Sequence, residues 1–527
     1  MKGKAAGEVA VFTAMILVMV AALLFTALEG ARIAGSGFYL QMAADASCES
    51  CFGEYYLPLW ERYRLLFLYE DVPLEERMEE YLTLYGAAAD HGFGVSFLGF
   101  REPHAEVYAA CMTDHAGEAF YEEAVDHAVL HLPAETVDLL AAQADLFGDI
   151  QDVTDVMGDL GEWSSDVMAE VDLAQTAGTA GAEGGSGPAG SGDGGGFTGI
   201  SQGLAARAAA LESELQEVTS RFSMEGEIPQ SVPVDESTAG GNTGSFPVYT
   251  LAGMAEEAWL TYMTGGEAIS SAAVPEEAVI SDTLNAGEND EETGAGREGG
   301  ALGRAAGYFL FREYLLDQFS GYTAVREDHA LSYEWEYLLG GKTTDRSNLA
   351  YTVNRLLLLR SGIDFLQNLA NEERKAEAFA LAAVIAGVTG VPEAVKLVQL
   401  AILGVWAAND AVVEVKALLS GGSVALLKLS GGEYLDLDYR GYIRLLLYMK
   451  GTQLLRCRGL DVIQTDMMRE VPSFDIRRCI YTADMSVSAQ SGALFSGIFE
   501  IGGGRAFRGT ELTAACSGTY AVERIGS

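Results

Sequence analysis

The chain has 527 residues and is strongly acidic, with 76 Asp and Glu against 33 Lys and Arg and a formal net charge of −43. A polyanion of this size is repelled by nucleic acid and by anionic membrane surfaces, which excludes both as ligands for the bulk of the chain. Hydrophobic residues make up 49% of the sequence, so the chain can bury sizeable cores, and its length suggests two or three folded units.

An uncharged apolar segment, Val9–Leu28, lies close to the N-terminus. At about 1.5 Å per residue, a helix of this length spans roughly 30 Å, the hydrocarbon thickness of a bilayer. Lys2 and Lys4 precede it, so the positive-inside rule places residues 1–8 in the cytoplasm and the chain after the segment outside. A cleaved signal peptide is the alternative. The sequence favours an uncleaved anchor because the segment is longer than a signal core and lacks a small-residue cleavage pair before Glu29.

Beyond the anchor, the helical spacing of apolar residues continues and predicts a stalk within a helical region over 29–135. Two shorter amphipathic helices are expected in that region, at Glu75–Ala89 and Glu118–Leu130. The bulk of the chain is therefore predicted to begin as helices on the outer side of the membrane.

Residues 136–222 are predicted to form an antiparallel coiled-coil hairpin, because apolar residues recur there about every 3.5 positions. Its tip, 177–196, contains ten glycines and cannot bury a core. An acidic low-complexity linker is expected over 223–303. An EF-hand at Asn285–Glu292 is rejected because the ligand spacing and the closing glutamate are missing.

A helical domain is predicted over 304–422, with a very apolar helical hairpin inside it. Ala378–Pro392 and Leu397–Asn409 carry no charge, but each is shorter than a membrane span requires. Buried helices of a soluble domain are therefore favoured, and a transmembrane hairpin is the alternative.

The last segment, 423–527, is predicted to be an α+β module. It contains a β-hairpin at Val424–Leu437, an amphipathic helix at Tyr439–Arg469 and a small antiparallel sheet in Ile480–Val522. The fold class that follows is mainly α, with a small C-terminal α+β module, one N-terminal transmembrane helix, a helical ectodomain and the coiled-coil hairpin.

Catalytic signatures are missing from the sequence, which contains no GxSxG elbow, P-loop, HExxH or suitably placed GxGxxG. We therefore assign no catalytic, cofactor-binding or metal residues and expect no cofactor. His127 and His131 share a helix face, but an i,i+4 pair without a third ligand is more typical of surface or packing positions.

The six cysteines leave several alternatives open. Cys48, Cys51 and Cys111 with His115 have a spacing that can hold zinc, although small buried residues or a disulfide set are the favoured interpretation. A redox-active C-x-x-C lacks the βαβ context. Cys479 and Cys516 flank the predicted sheet, and in an oxidising compartment they are expected to form a disulfide.

Several motifs carry a resemblance to known families. The opening of the anchor, Gly7-Glu8-Val9-Ala10-Val11-Phe12, resembles the start of TadE/TadG-type pilus-assembly proteins. Other stretches resemble an uncharacterised family of single-pass envelope proteins from clostridia-like bacteria: Leu28-Glu29-Gly30-Ala31-Arg32, Met42-Ala43-Ala44-Asp45, Glu54-Tyr55, Glu336-Tyr337-Leu338-Leu339-Gly340-Gly341-Lys342, Asn354-Arg355-Leu356-Leu357, Pro472-Ser473-Phe474 and Cys479-Ile480. The resemblance implies a location in the envelope, beside Tad-type pilus or secretion machinery.

The resulting expectation is a non-enzymatic envelope protein, held in the cell membrane by Val9–Leu28 with the bulk of the chain extracellular. Its partners would be the membrane and proteins of a Tad-like pilus or secretion apparatus, without nucleic acid. Two alternatives are an extracellular hydrolase acting on cell-wall or peptide substrates, and a cation-binding surface adhesin or sensor.

Overall fold

A computed structural model describes residues 2–88, 98–131, 256–284, 301–386, 392–428, 434–492 and 509–520. The predicted coiled-coil hairpin, its glycine-rich tip and the Asn285–Glu292 segment lie outside the described residues. The structure is mainly helical, with six strands in the described residues.

The elements are numbered here in chain order. The helices are α1 Lys2–Phe52, α2 Leu57–Tyr63, α3 Leu74–Ala88, α4 Asp114–His131, α5 Glu256–Met263, α6 Ala301–Gln318, α7 Glu334–Gly340, α8 Asp345–Ala370, α9 Glu372–Ala386, α10 Pro392–Leu419, α11 Tyr439–Tyr448 and α12 Thr452–Glu470. The strands are β1 Leu68–Tyr69, β2 Arg101–Cys111, β3 Ser423–Lys428, β4 Tyr434–Asp438, β5 Cys479–Ser491 and β6 Thr510–Thr519.

The chain divides into two compact units. Unit 1 consists of residues 1–130 and 467–527, and unit 2 consists of residues 131–466. Unit 1 is therefore built from two segments that are far apart in sequence, and unit 2 is inserted between them along the chain.

Unit 1 contains an antiparallel sheet with β5 at its centre. β2 pairs with one edge of β5, whereas β1 and β6 follow one another along the other edge. The register places Val487 of β5 between Ala105 of β2 and Ala514 of β6. All three side chains are buried, which identifies this face of the sheet as the one that faces the core.

The core of unit 1 forms where the second half of α1 packs against this face. Leu40, Ala44 and Cys48 of α1 lie in one apolar cluster with Met485 of β5 and Leu512 of β6. The spacing of the three α1 residues is four, so they lie on a single face of the helix. No proline interrupts α1, and the helix ends at Phe52, directly before Gly53.

Unit 2 is a helical assembly that carries the two-stranded hairpin β3–β4. Helix α8 packs along α10, and α10 also packs along α9. A capping box at Thr344 and Ser347 begins α8, because each side chain bonds to the backbone N–H of the other residue. Helix α7 ends at Gly341, whose φ of 59° is the left-handed conformation that glycine adopts readily.

Several predicted elements are confirmed. Helix α3 matches the prediction at Glu75–Ala89, α4 contains the predicted Glu118–Leu130, and β3–β4 form the predicted hairpin. The helices expected in 304–422 are present as α6–α10. The expectation that both helices of the apolar hairpin are buried is wrong for α9, where Phe379 and Val384 are 52% and 77% exposed. Helix α10 is also one of the two helices that are long and apolar enough to cross a membrane in the described part of the chain, and 39% of its most apolar window is buried.

Other predictions differ from the structure. The linker expected over 223–303 contains a packed segment at 256–284, where Trp259, Leu260 and Ile280 are buried. The helical region expected over 29–135 also contains β2. The single helix expected at Tyr439–Arg469 is two helices, α11 and α12, separated near Gly451. The expected C-terminal module is divided, because β3–β4 belong to unit 2 and β5–β6 to unit 1.

Candidate functional site

The first half of α1 presents a fully apolar surface that the protein itself leaves uncovered. Val11, Leu17 and Leu23 are 63%, 69% and 70% exposed, although they lie in a continuous helix. This half is long and apolar enough to cross a membrane, and none of its most apolar window is buried. Apolar surface of this extent is unfavourable in water, so lipid or other helices must cover it.

A buried ion pair marks the residue at which α1 changes from exposed to packed. Arg32 Nη2 donates to Glu29 Oε1 at 2.8 Å, and Arg32 Nε donates to the same oxygen at 3.2 Å. Arg32 Nη2 also donates to the carbonyl oxygen of Gly492, which directly follows β5. The guanidinium therefore joins the start of the packed half of α1 to the end of the central strand.

The second half of α1 is fixed to the free edge of β6 by side-chain hydrogen bonds. Gln41 Nε2 donates to the carbonyl oxygen of Ala515 at 2.7 Å, and Gln41 Oε1 accepts the N–H of Ala515 at 3.3 Å. At the end of the helix, the Tyr520 hydroxyl donates to the carbonyl oxygen of Phe52 at 2.6 Å. These bonds hold the helix and the strand in one fixed register.

The outer face of the packed half still carries large apolar side chains. Phe38 is 74% exposed and Met42 is 51% exposed. They lie one helical turn apart on the face opposite the sheet. The uncovered apolar surface of α1 thus continues past Glu29 into the packed half of the helix.

The cysteines are arranged differently from the expected disulfide. Cys516 pairs with Met485, whereas Cys479 pairs with Tyr69 six residues earlier along β5. Six residues of a strand span about 20 Å, and a disulfide requires Cα atoms within about 7 Å, so the predicted Cys479–Cys516 bond is wrong. Cys516 instead lies against Cys48 of α1.

The predicted metal alternatives are not assembled in the described residues. Within them, no group of three or more His, Cys, Asp or Glu side chains is arranged to hold a metal ion. Cys111 lies opposite Ile480 at the end of β2, and His115 follows on α4. His127 and His131 lie near the end of α4, one turn apart.

Unit 2 buries a set of carboxylates. Such groups could act as catalytic acids or bases in a hydrolase, the alternative function considered above. Burial raises the pKa of Glu336 to about 7, against the hydrogen bond that Tyr439 donates at 2.6 Å. Burial likewise raises the pKa values of Glu334, Asp345 and Asp461. Perturbed carboxyl groups of this kind often mark catalytic sites, so their surroundings decide what they do.

These carboxylates accept hydrogen bonds from the backbone of irregular segments. The pairs are Glu334 with the N–H of Ser320 at 2.7 Å, Glu336 with Tyr322 at 3.0 Å, Asp345 with Ser332 at 3.0 Å, Asp461 with Ile280 at 2.6 Å, and Asp466 with Ala330 at 2.9 Å. None of the five is more than 1% exposed. Buried backbone N–H groups require partners, so these side chains are explained by holding two connecting segments in place.

A second buried charge cluster joins α8 to α10. Arg360 Nη2 donates to Asp364 Oδ1 at 2.8 Å and also contacts Glu414, which accepts from Arg360 Nε at 2.5 Å. Arg360 Nη1 donates to the hydroxyl of Tyr442 at 3.1 Å. One guanidinium therefore lies against two carboxyl groups of the helical assembly, and burial still raises the pKa values of both Asp364 and Glu414.

Sequence reasoning missed the most specific of these contacts. The Glu29–Arg32 pair lies inside a stretch that was singled out only for its resemblance, and nothing in the sequence indicates that Arg32 reaches Gly492. The contact between Cys48 and Cys516 joins residues that are 468 positions apart. Ala44 and Cys48 are small residues four positions apart on one face of α1. Small residues at this spacing indicate that another backbone lies close to the helix, and this was the signal that the sequence offered.

Comparison with known proteins adds a partial match. Residues 245–437 and 430–491 match the sequence profile of a family of unknown function (DUF5702). The matched residues make up less than half of the chain and include most of the described part of unit 2 together with β5. No curated protein matches the chain, and no solved structure matches it.

Proposed function

We propose that this protein is a non-enzymatic, membrane-anchored envelope component that takes part in a Tad-like pilus or secretion assembly. The first half of α1 anchors it, with the N-terminus in the cytoplasm and both folded units outside. The outer face of α1 then associates with other proteins of the assembly. The pilus-related part of the proposal rests on the resemblance of the Gly7–Phe12 opening.

The observation that carries the proposal is the division of α1 into an uncovered half and a packed half. A signal sequence that is removed has no need to continue as one helix into the core of a folded unit. Here α1 runs unbroken from Lys2 to Phe52, and its residues from Leu40 to Phe52 supply part of the core of unit 1. Cleavage near Glu29 would also remove the partner of the buried Arg32 guanidinium.

The proposal is tested with a photo-crosslinking amino acid placed on α1 in intact cells. Leu17 reports on the anchor, and Phe38 reports on the outer face beyond it. Leu130, 78% exposed on α4 of the same unit, is the matched control. We expect the photo-crosslinking amino acid at positions 17 and 38 to form crosslinks to pilus or secretion components. At position 130 we expect no crosslink to these components. Lipid products alone at Leu17, with no protein at Phe38, would contradict the assembly role.

Orientation is tested separately by protease treatment of spheroplasts that carry tags at residue 2 and at the C-terminus. We expect the C-terminal tag to be digested and the tag at residue 2 to be protected. A protected C-terminal tag would place the folded units inside the cell and would overturn the proposal as a whole.

A further inference from the structure

Helix α1 and strand β6 run side by side in matched register. The side chain of Gln41 is hydrogen-bonded to Ala515, and the carbonyl oxygen of Phe52 is hydrogen-bonded to Tyr520. The two segments therefore run in the same direction. Eleven helical residues advance about 16 Å and five strand residues advance about 17 Å, so the two segments stay aligned over this whole length. This alignment fixes which residue of β6 each inward-facing α1 side chain meets.

The alignment places Cys48 beside Cys516. A Cβ atom built on Gly518 would lie 2.9 Å from Cys48 Sγ, so Cys48 lies directly over Gly518. Gly518 and Cys516 are two residues apart on one strand and therefore share a face. Side chains on a helix tilt toward its N-terminus, which aims the Cys48 sulfur back toward Cys516. The two thiols are in hydrogen-bond contact.

The other cysteines near this pair are less suited to bond with either partner. Cys51 is one helical turn after Cys48 and fully buried, so a solvent-borne reagent does not reach it. Cys48, which lies well beyond the membrane-spanning segment, has a pKa lowered by the hydrogen bond from Cys516. Cys516 is only half-buried, so it is the member of the pair that a solvent-borne reagent reaches.

We infer that Cys48 and Cys516 are a disulfide-forming pair that locks the packed half of α1 to strand β6. The bond rests on the proposed location outside the cell, where a disulfide oxidant such as a small-molecule disulfide is available. The hydrogen bond to Cys48 and burial raise the pKa of Cys516, but its thiol is the accessible one: it loses its proton to a base in solution, attacks the oxidant disulfide and releases one small thiol. The Cys48 thiolate then attacks the Cys516 sulfur of the mixed disulfide and releases the second small thiol. Two protein thiols are oxidised, and one oxidant disulfide is reduced.

The test is disulfide mapping of the full-length chain in detergent after incubation with oxidised glutathione. Cleavage after Glu49 separates Cys48 from Cys51, so mass spectrometry can distinguish the possible links. We expect one linked peptide pair, containing Cys48 and Cys516, and a fall from six titratable thiols to four. Cys51→Ser should leave the link intact, whereas Cys48→Ser and Cys516→Ser should each abolish it with the far-ultraviolet circular dichroism unchanged.

A link between any other pair, such as Cys48–Cys51 or Cys111–Cys479, or six remaining thiols, would overturn the inference and leave the proposed function standing. A second arm traps thiols in living cells with N-ethylmaleimide before lysis. The Cys48–Cys516 link in that sample supports the inference in its native setting. Reduced thiols there, with the link still forming in detergent, would instead contradict the extracellular location.

Discussion

The two units of this protein stabilise their interiors by different means. Unit 1 packs apolar and small side chains of α1 against a sheet, and Leu40 is representative of its core. Unit 2 buries ionisable groups, of which Arg360 and Glu336 are examples, and holds each of them by hydrogen bonds to at least one of its polar atoms. The first kind of interior depends mainly on shape, although unit 1 also buries Glu123, whose pKa burial raises to about 7. The second depends on each charge keeping its partner, so it should respond sharply to the loss of one group.

The largest effect is expected from removing the cation that joins α8 to α10. Arg360→Met leaves the buried Asp364 and the partly buried Glu414 beside each other without a cation, which should lower the free energy of unfolding of unit 2 by about 3 kcal/mol. Hydrogen exchange followed peptide by peptide measures this for each unit separately. Arg355→Met, at an exposed position of the same helix, is the matched control and should cost about 1 kcal/mol or less.

Combining Arg360→Met with Asp364→Leu and Glu414→Leu sharpens this prediction, because an apolar replacement of the whole cluster removes the uncompensated charges. Most of the protection against hydrogen exchange that Arg360→Met removes from unit 2 should return in the triple variant. A triple variant that is less stable than Arg360→Met would mean that the cluster matters for its shape and not for its charges.

The apolar interior of unit 1 is tested on α1 itself. Leu40→Ala removes a fully buried side chain and should lower the stability of unit 1 by about 2–5 kcal/mol, through lost burial and the cavity left behind. Leu17→Ala, on the uncovered half of the same helix, should leave the hydrogen exchange of unit 1 unchanged. Equal effects at the two positions would show that the two halves of α1 do not differ as described.

Glu336 should give the stability of unit 2 a pH dependence of its own. Glu336 titrates at about 7 when folded and near 4.5 when unfolded, so the folded state binds the extra proton between these values. Stability contributed by this group is complete below pH 4.5 and falls as pH rises toward 7, by up to roughly 3 kcal/mol. Glu336→Gln should remove this part of the pH dependence in denaturant titrations. The exposed Glu327→Gln is the control and should keep it.

The smallest effect concerns a helix end. Thr344→Ala removes the side chain that caps α8 and should destabilise unit 2 by about 1 kcal/mol. Thr343→Ala, one residue earlier and outside the cap, is the control. Unchanged exchange at the start of α8 in both variants would indicate that packing alone fixes this helix.

Local pattern was sufficient to predict much of the secondary structure but not the pairing of distant segments. The spacing of apolar residues predicts α3 and α4, and the Ser430-Gly431-Gly432-Glu433 stretch between two apolar runs predicts the β3–β4 hairpin. Strand β2 was missed because its outward residues, among them His104 and Tyr108, alternate with small alanines that are equally at home in a helix. Its partner β5 lies hundreds of residues later, beyond the range of any local signal.

The candidate site was predictable in part for the same reason. The apolar first half of α1 is visible in the sequence, because a helix long and apolar enough to cross a membrane needs a contiguous apolar segment. The Cys48–Cys516 contact was not, because it depends on α1 meeting β6. The burial of carboxylates such as Glu334 was also unpredictable, because charged residues are normally exposed. Only the fold shows which backbone N–H donates a hydrogen bond to the buried carboxylate.

The discontinuous construction of unit 1 has a consequence for biosynthesis. Helix α1 is made first, but β5 and β6 complete its core only after the ribosome has passed Thr519. At about 5–20 residues per second, the inner face of the helix stays without β5 and β6 for roughly 20–90 s. Unit 2 can fold during that interval and hold the two segments near each other. A chain that stops before β6 leaves Leu40 and Ala44 of α1 without the strand that covers them in the complete unit.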